Sequence, residues 1–173
     1  MMYTLQHAIE VLSRTPRVLE AMLDGLSHEW LNGNEGPGTW SPREVVGHLI
    51  INEETNFLPR TKLILGEGEP KTLAPINMTA HLERFGEVPV DQLLKMFRQL
   101  RTQNIRALEE LAPSAGDLTR IAIHPKVGRV SLVNVLSTWV AHDLIHIGQI
   151  SRVMAKQYKA DIGPFLEFLP RLK

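Results

Sequence analysis

Four stretches of the chain place apolar residues three and four positions apart, the spacing that gathers them on one face of an α-helix. The first runs from about Tyr3 to Leu26, with Leu5, Ile9, Leu12, Leu19, Leu23 and Leu26 in its stripe, and Pro16 should bend or divide it. The second begins at Ser41 or Pro42 and continues through His48 and Asn52 to about Leu65. Its start is explicit: Ser41 as N-cap, Pro42 at the first helical position, Glu44 closing a capping box, and Trp40 with Val45 as a hydrophobic staple. Pro59 predicts a kink in it, and Gly66 or Gly68 its end. A third helix, about Val90 to Leu111, carries Leu93, Leu94, Phe97, Leu100, Ile105 and Leu108 and is stopped by Pro113. The fourth, from the Ser131 cap to about Tyr158, is the longest, with Leu132, Val135, Leu136, Trp139, Ile150 and Val153 on one face. Leu144 and Ile145 widen its apolar surface, which predicts a helix enclosed by neighbours on most sides.

The intervening segments read differently. SHEWLNGNEGPGT has the glycines, asparagines and proline of a loop. From Glu67 to Pro89 periodicity is poor and Pro and Gly recur, as in a long connection holding a short helical turn. Ahead of Ser131 a second connection contains the chain's one short alternating run, Ile121 to His124. After Gly163 and Pro164 a short apolar helical tail is expected to cap one end. These elements make the fold all-α, a four-helix bundle in a single domain over residues 1–173, a length that buries roughly 70% of the unfolded chain's surface. Long connections after the second and third helices permit a topology other than simple up and down.

Charge and composition narrow the function. Nineteen basic and nineteen acidic residues balance without a run of one sign, which argues against nucleic acid or a membrane surface as partner; the small-molecule substrate expected instead rests on the histidines and the resemblance described below. With no cysteine, the chain forms no disulfide and supplies neither a thiolate ligand nor a cysteine nucleophile, so any thiol chemistry must be brought by a small molecule. MMYTLQHAIEVLSRT carries His7, Glu10 and Arg14 within its apolar pattern and reads as neither a signal peptide nor a span, and no apolar run approaches ~18 residues. The expectation is a soluble, cytoplasmic protein.

The fourth helix holds the polar feature that needs explaining. His142 and His146 are four apart, so their Cβ atoms stack roughly 5–6 Å apart and both imidazoles can reach one ion. Gln149 follows three further along that face. His48, two turns into the second helix beside Glu44, Ile51 and Asn52, is the best third ligand. Three neutral imidazoles would fix a divalent transition metal and leave positions open for water or substrate. The same spacing also suits core or rim histidines satisfied by hydrogen bonds.

The segments WSPREVVGHL, from Trp40 to Leu49, and HPKVGRVSLVNVLSTWVAHDLIHIGQISRVMA, from His124 to Ala155, together resemble the DinB-like superfamily, which includes the YfiT-like proteins. The resemblance extends from the first helix through Gly163 and Pro164. It implies a four-helix bundle of DinB/YfiT type in which one histidine of the second helix and two of the fourth hold a metal, here His48, His142 and His146. It further implies nickel or zinc as the ion, frequent homodimers, and in some members transfer of a low-molecular-weight thiol such as bacillithiol, mycothiol or glutathione. A Lewis-acidic ion lowers the pKa of a bound thiol or water, so the expected activity is metal-dependent thiol transfer to an electrophilic small molecule. Hydrolysis by a metal-bound hydroxide, and a noncatalytic metal-binding or stress-response bundle, are the alternatives.

Other positions carry weaker expectations. Asp143 either orients a ligand imidazole or forms a surface or interhelix ion pair; Glu44 is a carboxylate that supports a ligand imidazole, or a general base, if its capping role leaves it free; Gln149 bonds a metal-held species or a neighbouring backbone. His124 reads as a turn or surface histidine, and His7, His28 and His81 as solvent or packing residues. Arg98 and Arg101 suit an exposed charged face or an anionic substrate, and Trp139 the core or a wall of the site.

Overall fold

The structure, a computed structural model, describes residues 2–68 and 70–172; Glu69 in the expected 67–89 connection and the two end residues of the 1–173 span lie outside the described residues. The first predicted helix is two, α1 (Leu5–Leu12) and α2 (Thr15–Leu23). Pro16 divides them because it has no N–H for the Leu12 carbonyl four residues back. That carbonyl accepts instead from Arg101 Nη1 at 2.9 Å, so a side chain of the third bundle helix closes the break in the first.

A short helix, α3 (His28–Asn32), occupies the start of the segment read as a loop, with Leu31 buried. Ser41 then caps α4 (Pro42–Thr55) through the predicted box: its hydroxyl accepts from the Glu44 N–H, and Glu44 Oε2 accepts from the Ser41 N–H at 2.7 Å. Pro59 would collide with the Thr55 carbonyl, and α4 ends there; Asn56 leaves helical geometry at φ −108°, ψ −90°, and α5 (Phe57–Leu65) continues the run. The short strand β1 (Lys71–Thr72) and α6 (Ala80–Phe85) lie in the next connection, followed by α7 (Val90–Leu111). The alternating run is β2 (Ile121–His124), paired antiparallel with β3 (Gly128–Ser131) and parallel with β1 in the order β1-β2-β3. Ser131 caps α8 (Leu132–Lys156), again with a box, closed by Asn134. The tail comprises α9 (Lys159–Ile162) and two 3-10 turns, with Leu172 buried while Phe165 and Phe168 stay exposed.

The four bundle helices are α1/α2, α4/α5, α7 and α8. α7 packs on α2 and α4, whereas α8 packs on α1, α4 and α5. The first and second bundle helices therefore sit on a diagonal, as do the third and fourth, an order that simple up-and-down connection would not give. The enclosed helix is α4, not α8. Every residue from Val45 to Glu53 is buried, because α3 and α6 cover the side that α7 and α8 leave open. Gly47 permits this: a Cβ there would lie 3.2 Å from Phe85 Cδ2 and 3.5 Å from the His81 Cβ of α6. By contrast, Leu144 and Ile145 of α8 are 53% and 68% exposed, which corrects the expectation that α8 is enclosed. Its neighbours lie on one side, and apolar residues on a circumference do not recruit partners by themselves. Among the described residues no helix is long and apolar enough to cross a membrane.

Candidate metal centre

α4 and α8 bring His48, His142 and His146 together at their contact, each offering a nitrogen within 4.8 Å of the others. His142 Nε2 lies 3.2 Å from His48 Nε2 and 3.1 Å from His146 Nε2. A proton on one of these nitrogens can serve one neighbour; a cation among them serves all three. Metal–nitrogen bonds of about 2.0–2.1 Å separate adjacent ligand nitrogens by about 3.0–3.4 Å, so the two spacings that centre on His142 fit a shared ion, and the third pair of nitrogens lies within 4.8 Å. Burial pulls the His48 imidazole down to about 3 and His142 to about 4, and it lowers His146 as well. All three are therefore neutral at pH 7, the state that has a lone pair to give.

A hydrogen bond orients the His146 ring, and aromatic neighbours pack on the other two. His146 Nδ1 lies 2.7 Å from Gln149 Oε1, an acceptor, so the proton sits on Nδ1 and Nε2 presents its lone pair to the cluster. Asn52, one turn after His48, donates to the His48 carbonyl at 2.8 Å and places the same nitrogen, Nδ2, 3.1 Å from His48 Nε2. Asn56, one turn further, donates to Asn52 Oδ1 at 2.7 Å. The ladder His48, Asn52, Asn56 was present in the sequence as polar residues four apart on an apolar helix. Trp40 covers the cluster, its ring centroid 4.7 Å from His48 and 6.3 Å from His146. His81 of α6 stands edge-on to Trp40 at 4.5 Å and lies 5.4 Å from His48, buried and outside the converging set. Phe57 closes the other side against His142.

The remaining candidates fall elsewhere. Glu44 is held by the Ser41 cap. Asp143, beside His142 in sequence, points away from the cluster and accepts from Arg101 and from Thr15 Oγ1. Arg101 is 1% exposed, contrary to the exposed face expected for it, and binds Glu53 at 2.7 Å as well as Asp143 at 2.5 Å. Burial opposes its charge, but the two carboxylates outweigh that and raise its pKa. Glu53 also accepts from Trp139 Nε1, so Trp139 is core, stacked on Phe57. Arg98 pairs with Glu20 at the surface. His124 Nδ1 accepts the Lys126 N–H in the β2–β3 turn, and His7 and His28 are exposed.

A helical bundle with three inward histidines shared between two helices is the class of protein that fold and site define. The chain belongs to the DinB superfamily, whose model matches residues 12–150. Among solved structures it is similar to YfiT from Bacillus subtilis, described as a probable metal-dependent hydrolase with an unusual four-helix bundle topology. The identity is 23% with a TM-score of 0.77, covering 91% of this chain and 90% of that one. It is also similar to TT2238, a four-helix bundle protein, at 20% identity and a TM-score of 0.52, covering 86% of this chain and 98% of that one. No curated protein sequence matches the chain.

Proposed function

We propose that the protein is a metal-dependent enzyme whose divalent transition ion, nickel or zinc, is held by His48, His142 and His146, and that it transfers a low-molecular-weight thiol to an electrophilic small molecule. The observation that supports this most is the convergence of three neutral Nε2 atoms in a buried site. The ion would supply a Lewis acid that lowers the pKa of a bound thiol or water. The chain's own residues hold the site in shape: Gln149 sets the His146 tautomer, and Trp40 and Phe57 pack against the His48 and His142 rings. Because the chain has no cysteine, the sulfur nucleophile comes from solution. Thiol-independent hydrolysis is the second reading, favoured by the description of YfiT.

The test is turnover of an electrophilic aryl halide and of an activated ester by metal-loaded protein, with and without added thiol. Transfer that needs both thiol and ion, and that disappears in His142→Ala, is the expected result. Ester turnover without thiol selects hydrolysis. Activity that His142→Ala leaves intact contradicts both.

A further inference from the structure

Next to the histidines is a groove of about 260 Å³ between α5, the β2–β3 hairpin and the first turns of α8. Phe57, Leu73, Val127, Val130 and Val135 give it apolar walls. Arg60 lies between this groove and another of about 370 Å³, and among the described residues it is the one charged side chain lining either. Its Nη2 donates to the Ala74 carbonyl at 2.8 Å, and no carboxylate among the described residues forms an ion pair with it. A half-buried guanidinium without a counterion is a site for an anion.

Two further groups agree. His124 lines the same groove, and because its Nδ1 accepts the Lys126 and Val127 N–H groups at 3.2 and 3.4 Å, its proton sits on Nε2, which is left as a donor. Asn56, only 7% exposed, also lines the groove; its Nδ2 is used by Asn52, and its Oδ1 has no partner. The groove thus offers one cation and one neutral donor at its head, apolar walls, and a buried acceptor.

We infer that this groove binds a small organic monocarboxylate with an apolar body, its carboxylate on Arg60 and His124 and a hydroxyl or N–H group on Asn56 Oδ1. One cation matches a monoanion better than a phosphate dianion. At its inner end Phe57 and Asn56 stand between the groove and the three histidines: Phe57 touches the His142 ring at a centroid distance of 5.3 Å, and Asn56 donates to Asn52, whose Nδ2 lies 3.1 Å from His48 Nε2. The inference rests on the proposed metal chemistry only for what happens at that inner end; binding of the anion does not require the ion.

The experiment titrates metal-free full-length protein with 4-phenylbutyrate and with uncharged 4-phenylbutanamide, reading heat and the backbone amide shifts of residues 124–130. The acid should bind about tenfold or more tightly than the amide, with shifts in the hairpin. Arg60→Gln should cancel that preference, while Arg60→Lys, which keeps the charge, should retain part of it. Equal binding of acid and amide by the parent, shifts confined to other regions, or an unchanged preference in Arg60→Gln would overturn the inference. Adding zinc to the parent separates the two claims: the acid-over-amide preference should be the same with and without the ion, and a preference that appears only with zinc would overturn the independence of the groove.

Discussion

At the scale of the residue, the site depends on imidazoles kept neutral by burial. An unfolded histidine takes up its proton near pH 6.5, whereas His48 and His142 in the fold do so only near 3 and 4. Between those values the unfolded chain binds more protons, so the metal-free protein should be most stable above about pH 6.5 and lose stability steadily as pH falls. His81, His124 and His146 shift the same way and add to the effect. Denaturant midpoints at pH 7.5 and pH 5 measure this, and equal midpoints would contradict it. Glu35, held near 2 by Arg152 and Lys156, contributes only below about pH 4.5 and does not blur the window. Gln149 acts on one ring alone. Gln149→Ala should weaken metal binding about 10–100-fold in a competition titration, and Gln149→Glu, which keeps the acceptor, should bind near parental strength. An unaffected Gln149→Ala would show that the 2.7 Å contact does not set the tautomer.

At the scale of the element, the helices were legible because their signals are local. Capping boxes at Ser41 and Ser131 and the breaks at Pro16 and Pro59 follow from hydrogen-bond needs within a few residues. What the sequence concealed was choice of partner. Arg101 looked like a surface charge because charged residues are rarely buried unless paired, and its pairs, Glu53 and Asp143, lie 48 and 42 residues away. This one guanidinium joins α7 to α4, α8 and the broken end of α1. Arg101→Met should therefore cost about 3–5 kcal/mol in chemical unfolding, since it leaves two buried carboxylates facing each other and the Leu12 carbonyl without its donor. A loss below about 1 kcal/mol would mean that water replaces the cation at little cost. The short helices α3 and α6 were missed or left vague because five or six residues give too little periodicity to read, yet α6 brings His81 to the site.

At the scale of the whole molecule, the bundle order explains why the site lies where it does. Setting the first and second helices on a diagonal puts α4 against both α7 and α8, so His48 meets the pair from α8 in the interior. The clustering of the three histidines was legible as one pair at helical spacing plus one inward histidine. Its walls, Trp40, Phe57 and His81, come from three other places in the chain and follow only from packing. The most direct measurement is metal content by elemental analysis of untagged protein purified without chelator, beside His48→Ala and His142→Ala shown to be folded by circular dichroism. A three-histidine centre predicts close to one divalent transition ion per chain in the parent and its loss in both variants. A parent that holds no ion and takes up neither zinc nor nickel, or variants that retain the parent's metal, would contradict it.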